Sequence, residues 1–274
     1  MGKTAYSISL ARQYGCPIIN CDSRQLYKEL NIGVARPSAA ELAAVTHYFV
    51  GSHSIEQPIS AGAYELEAWE LVNSLAGRYD TLLMVGGSGL YIDAFCNGMD
   101  DFPQTDPQLR AQLTAQAHQP GGLEQLRAQL RLLDSVTYHQ IDLCNWQRVL
   151  RAVEVCLLSG RPYSSFKSHP FRERPCEICK IGLERPREEL NARINARVDV
   201  MMQRGLLAEA RALYPYKDTP ALQTVGYREL FDYFDGKLSL EQAVTDIKCH
   251  TRRYAKRQMS YWRRDASIEW RVCG

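Results

Sequence analysis

Three short stretches hold residue types that can work on a phosphorylated ligand. Gly2-Lys3-Thr4 runs into the helix-like residues 5–12 and matches the end of a G-x-x-x-x-G-K-[ST] loop. In such a loop the amides cradle phosphate oxygens, the Lys supplies a point charge and the Thr hydroxyl reaches a phosphate-bound Mg²⁺. Asp22-Ser23 follows the apolar residues 17–21, which read as a short buried strand. Ligands of open α/β sheets gather at that carboxyl end. Asp22 is placed there as a general base, or as a strand-end residue capping the next turn. Gly86-Gly87-Ser88-Gly89 follows a second apolar run at 81–85. It offers amides and a hydroxyl to an anion, or serves as a tight turn needing positive φ.

The carboxyl half carries a different chemistry. Net charge is only +2, yet residues 1–140 hold 9 Lys/Arg against 14 Asp/Glu and the remainder 24 against 17. Residues 248–264 contain seven basic side chains (Lys248, Arg252, Arg253, Lys256, Arg257, Arg263, Arg264) and no acidic one. A solvated helix face mixes signs, so this stretch points to nucleic acid or polyphosphate. Tyr254, Tyr261 and Trp262 between the charges are candidates to stack on unpaired bases, or to join the core. Cys176-Glu177-Ile178-Cys179 is a lone C-x-x-C; zinc needs a second ligand pair at suitable spacing, and the pair reads as structural.

Several elements must position these groups. Residues 61–76 carry apolar positions at helical spacing, and strands at 17–21, 81–85 and 178–183 each lead towards a helix. Alternating strands and helices with glycine turns imply a mainly parallel, doubly wound sheet. From 101 the character changes to helical stretches at 107–119, 123–133 and 145–159, so 101–176 reads as a helical insertion. Helices near 187–204, 206–214, 226–234 and 239–264 and a strand at 267–272 close the core. No apolar run approaches the roughly 20 residues of a bilayer span, no signal-peptide pattern opens the chain, and nine scattered cysteines suit reduced thiols. A soluble, cytoplasmic, monomeric protein with no membrane contact is expected.

Taken together, the motifs resemble the bacterial tRNA isopentenyltransferase family along almost the whole chain. Asp22-Ser23-Arg24-Gln25-Leu26-Tyr27-Lys28 is similar to its signature after the second strand, continuing through 32–38. Gly86-Gly87-Ser88-Gly89-Leu90-Tyr91 resembles its glycine turn with Ser in place of Thr, and residues 147–154 its insertion helix. Residues 181–183, Arg193, Arg197-Val198-Asp199, Met202, Gly205-Leu206, 225–230, 255–258 and Trp262 complete the likeness.

The resemblance implies a P-loop NTPase-like parallel sheet flanked by helices, with 1–100 and 177–274 as the catalytic core and 101–176 as a tRNA-contacting insertion. It implies transfer of a dimethylallyl group from dimethylallyl diphosphate to N6 of adenosine 37 beside the tRNA anticodon. Asp22 would be the base and Thr4 its catalytic companion. Gly2, Lys3, Thr4, Ser88 and Arg193 would hold diphosphate, with Mg²⁺ bound through it and Thr4. No ATP is needed, although the loop looks like a nucleotide site. The anticodon stem-loop would meet Asp22, Ser23, Arg24, Gln25, Ser88 and Arg110. It would also meet Gln147, Arg148, Val149, Leu150, Arg151, Gln223, Thr224, Val225, Gly226, Tyr227 and Arg228, and the basic pair Lys256 and Arg257.

Three departures stand out. The family pattern begins with a strand and a full G-P-T-x-x-G-K-T loop, of which this sequence shows the last three residues after Met1. With that strand and half-loop missing, weak diphosphate binding is expected. The sequence ends at Gly274, where relatives often continue with a helix. Trp146 stands where Asp or Pro is usual before Gln147-Arg148. Rival readings are an adenylate isopentenyltransferase, a small-molecule kinase with the same loop, and a tRNA-binding protein inactivated by the shortened loop.

Overall fold

The computed structural model describes residues 2–167 and 172–273, so Met1 and Gly274 lie outside the described residues. The chain divides into two compact units, one of residues 1–96 and 174–274, the other of residues 97–173. The expected boundaries lay a few residues later in each case.

The first unit opens with α1 (Lys3–Tyr14), entered from Gly2 at φ 91° and left through Gly15 at φ 61°, both in the left-handed region that glycine tolerates. β1 (Ile18–Cys21) is buried at all four positions, as a central parallel strand must be. Next come α2 (Ala39–Ala44), started by a Ser38/Glu41 capping box, and the two-residue β2 (His47–Tyr48). They are followed by α3 (Ala61–Leu75), β3 (Leu83–Gly86) and α4 (Gly89–Asn97). The strands run β2-β1-β3, all parallel, with Cys21 opposite Gly86. A Cβ on Gly86 would collide with the Cys21 carbonyl, so only glycine lets the two strand ends approach.

The second unit is helical: α5 (Pro107–Ala117), α6 (Gly122–Leu133), α7 (Ser135–Gln140) and α8 (Trp146–Ser159). Asp106 caps α5 ahead of Pro107, the favoured first-turn proline, and Asn145 caps α8. Leu113, Leu126, Leu130, Val149, Leu150 and Val153 form its own core.

The chain then returns to the first unit through β4 (Ile181–Glu184), α9 (Arg187–Gln203), α10 (Leu206–Leu213), α11 (Tyr227–Phe234), α12 (Leu240–Trp262) and β5 (Glu269–Val272). β4 and β5 pair in parallel as a separate two-stranded sheet. The sheet expected as one thus stands as three strands plus two, parallel throughout. Between β3 and β4 lies an apolar slot of about 250 Å³, walled by Leu83, Val85, Ile181, Leu183, Leu10 of α1 and Trp262 of α12. Among the described residues the facing edges of β3 and β4 have no partner strand. No helix among the described residues is long and apolar enough to cross a membrane.

Candidate active site and RNA-facing surface

A helix that starts at a glycine has no side chain with which to cap its first amides. α1 is such a helix, and among the described residues no side chain caps it, so its amino end presents N–H groups and the positive end of the helix dipole. Lys3 and Thr4 stand in that first turn. Burial lowers the Lys3 pKa below the ordinary lysine value; the Asp22 charge pushes it back up and the Arg197 charge down. Lys3, Asp22 and Arg197 therefore share one electrostatic neighbourhood, although they come from α1, the end of β1 and α9.

Asp22 follows the last residue of β1, where the chain must turn out of the sheet. Its Oδ1 accepts from the Arg24 amide at 3.0 Å and the Gln25 amide at 3.4 Å. That is the capping use of a strand-end aspartate. Among the described residues its Oδ2 has no hydrogen-bond partner, so one carboxylate oxygen fixes the turn and the other is open to accept a proton. The capping reading of Asp22 is met by these contacts.

The glycine turn after β3 is sewn to the same place. Ser88 Oγ accepts from the Ser23 amide at 2.9 Å and donates to Ser23 Oγ at 3.0 Å. Gln258 of α12 donates to the Gly87 carbonyl at 2.7 Å. A Cβ on Gly87 would sit 3.5 Å from Lys3 Nζ. Tyr254, one turn before Gln258, has its phenol pKa raised by burial and by the Asp22 charge. The carboxyl half of α12 thus reaches the same site as the two strand ends.

The loop residues nearby are tied down. Arg24 donates to the carbonyls of Pro220 (3.0 Å) and Ala221 (3.1 Å), joining Asp22's turn to the loop that carries Gln223, Thr224, Val225 and Gly226. Gln25 donates to the carbonyls of Val34 and Ala35, and Gln223 to that of Lys217. Arg228 is exposed. Tyr227 is a correction: it is fully buried, its hydroxyl donating to Glu209 at 2.6 Å and its ring pressed on Gly33, so its side chain does not face an RNA.

α12 also needs correction as an unbroken basic face. Asp199 pairs with Lys248 at 2.6 Å, Arg252 donates to Asn195, and Glu184 lies 3.7 Å from Arg263. Lys256 and Arg257 are exposed with no carboxylate partner among the described residues, and Arg257 sits over the Tyr254 ring.

In the helical unit Gln147 and Arg148 are exposed, while Val149 and Leu150 are buried in the core one step round the helix. Those two are likewise corrected, since their side chains serve packing. Arg110 and Arg151 both reach Glu154. The thiols of Cys176 and Cys179 are exposed.

Sequence reasoning missed Arg197. It lies one helical turn beyond Arg193, whose side chain is 51% exposed and stands 3.7 Å from Glu189. Arg197 is exposed; partial desolvation by its neighbours and the Arg193 charge lower its pKa, and it has no carboxylate partner among the described residues. Of the two arginines only Arg193 pairs with Glu189, so Arg197 is the cation near Lys3 left to meet an anion.

A parallel α/β fold with a strand-end aspartate close to the lysine of a glycine-led helix start makes a candidate transferase site. A profile of the IPP transferase family matches residues 25–265, and the chain belongs to that family. The tRNA dimethylallyltransferase 2 of Porphyromonas gingivalis is 48% identical over 98% of this chain and 90% of its own length. The tRNA dimethylallyltransferase 1 of Phocaeicola vulgatus is 46% identical over the same shares. Among solved structures, the full-length tRNA isopentenylpyrophosphate transferase of Bacillus halodurans superposes with a TM-score of 0.70 at 32% identity, over 99% of this chain and 86% of that one.

Proposed function

We propose that this protein transfers a dimethylallyl group from dimethylallyl diphosphate to N6 of adenosine 37 in tRNA, giving N6-dimethylallyladenosine. The observation that carries the reading is the open Oδ2 of Asp22 in one electrostatic neighbourhood with Lys3 and with Arg197, which has no carboxylate partner among the described residues, at the start of α1. In the reaction N6 forms a bond to the allylic carbon as that carbon's bond to the diphosphate oxygen breaks. Asp22 accepts the N6 proton. The α1 amides, Lys3, Arg193 and Arg197 receive the negative charge that develops on the leaving diphosphate.

Adenosine 37 must leave its stack to bring N6 to Asp22. The exposed Arg228, Lys256 and Arg257 and the loop at 223–226 lie on the same unit to hold the surrounding RNA. Mg²⁺ fits here as a diphosphate-bound ion. Among the described residues no three His, Cys, Asp or Glu side chains cluster to cage a metal, whereas Thr4 stands in the first turn of α1 to offer one hydroxyl. When bound, the ion would neutralise charge on the leaving group. We place the protein in the cytoplasm as a monomer.

The test incubates the protein with dimethylallyl diphosphate, Mg²⁺ and an anticodon stem-loop carrying adenosine 37, and reads the modified nucleoside by mass. Modification of the stem-loop but not of free AMP is expected. Prenylation of AMP with an unmodified stem-loop would overturn the tRNA reading.

A further inference from the structure

Glu154 of α8 is fully buried, and a buried carboxylate is costly unless every lone pair is used. Here two arginines use them. Arg110 of α5 approaches side-on, its Nε donating to Oε1 at 2.8 Å and its Nη2 to Oε2. Arg151, one turn before Glu154, donates to Oε2 from Nη1 at 2.5 Å. Its Nη2 donates to the Pro103 carbonyl at 3.1 Å, and its guanidinium lies over the Phe102 ring. One anion faces two cations, so the cluster keeps a positive charge. That charge reaches the surface, because the two arginine side chains are 37% and 28% exposed. Arg148 adds an exposed cation on the adjoining turn of α8, and Nη1 of Arg110 has no partner among the described residues.

A core ion pair made only for stability would bury both partners and balance them. This one hides the carboxylate and leaves the guanidinium rims outside. We propose that Glu154 is a positioning residue that holds Arg110 and Arg151 as a fixed fork for a phosphate of the RNA backbone. The inference rests on the tRNA reading above. Arg110, locked by bonds on its Nε–Nη2 edge, has little side-chain freedom left to lose when phosphate meets Nη1, while Arg151, tied through both terminal nitrogens to Glu154, Thr105 and Pro103, adds a fixed charge beside it. Contact of this kind sets register without reading sequence.

Charge and position make opposite predictions, which gives the test its sign. Glu154→Gln keeps the shape and removes a negative charge beneath two cations, so an effect of charge alone would tighten RNA binding. Loss of positioning would weaken it. Binding of a fluorescent anticodon stem-loop is measured by anisotropy from low to high salt, with folding checked by circular dichroism. We expect Glu154→Gln to bind about tenfold more weakly at physiological salt and to flatten the log-affinity against log-salt slope by about one. Arg110→Lys keeps the charge and loses the fork. It should weaken binding in the same direction, and it carries the test if Glu154→Gln fails to fold. Equal or tighter binding by a folded Glu154→Gln, or an unchanged Arg110→Lys, overturns the proposal. Failure of the unaltered protein to bind the stem-loop would instead overturn the tRNA reading.

Discussion

Asp22→Asn separates the two tasks of that carboxylate. Asn keeps an oxygen acceptor where Oδ1 now takes the Arg24 and Gln25 amides at 3.0 and 3.4 Å, so the turn after β1 survives. What it loses is the basicity of Oδ2. A positioned general base is worth about 10² to 10⁴ in rate, or about 2.7–5.4 kcal/mol of barrier at 1.36 kcal/mol per tenfold. Asp22→Ala removes the acceptor as well and should add about 1 kcal/mol of lost stability from the freed amides. The pair is assayed by single-turnover transfer to a stem-loop, with RNA affinity by anisotropy and thermal melting alongside. Both variants should lose the rate and keep RNA affinity within a few-fold, and only Ala should lower the melting temperature clearly. An Asn variant within tenfold of the parent rate would refute the base assignment.

Other outcomes follow from the same geometry. Arg197→Ala removes a cation with no carboxylate partner among the described residues, and should raise KM for dimethylallyl diphosphate about 10- to 150-fold, the worth of a charge-assisted contact; an unchanged KM would remove Arg197 from the diphosphate site. Replacing Lys256 and Arg257 together by Ala should weaken all tRNAs alike and flatten the salt slope by about one per lost phosphate contact. An unchanged slope would make that face a solvated one. Lys180, at 2.7 Å, and Ser267 hold Asp265 down at about 2. This depressed carboxylate stabilises the fold above the unfolded value near 4 and loses its contribution as pH falls through about 2. Asp265→Asn should therefore flatten acid unfolding in that window by about 1 kcal/mol after solvent screening, read by denaturant titration at each pH.

The strands were legible where apolar runs end in glycine or aspartate, as at β1 and β3, and the long helices where apolar residues keep a 3.6-residue spacing. β2 and α7 were not, because two strand residues or six helical ones are too few to show a period. At the site, Asp22 and Ser88 could be read from their places at strand ends. Arg197 could not, because α9 carries arginines at 187, 193 and 197 and only the fold shows which one comes near Lys3. Val149, Leu150 and Tyr227 fall inside their motifs but not on the RNA side for a simpler reason: a motif is a run of consecutive residues, and a helix sends neighbouring residues to different faces. Glu154 lay within a quoted motif, but its burial beneath two arginines depends on α5, 44 residues away in the chain.

The slot between β3 and β4 bears on how the protein behaves in a tube. Each facing edge offers a row of backbone donors and acceptors alongside apolar side chains, the arrangement that templates another strand. Crowding molecules together therefore favours strand exchange, and dilution or a soluble Val- and Ile-rich peptide competes with it. Sedimentation velocity over a range of concentrations, with or without RNA and diphosphate, tests this: a monomer throughout would show the slot closed to other strands.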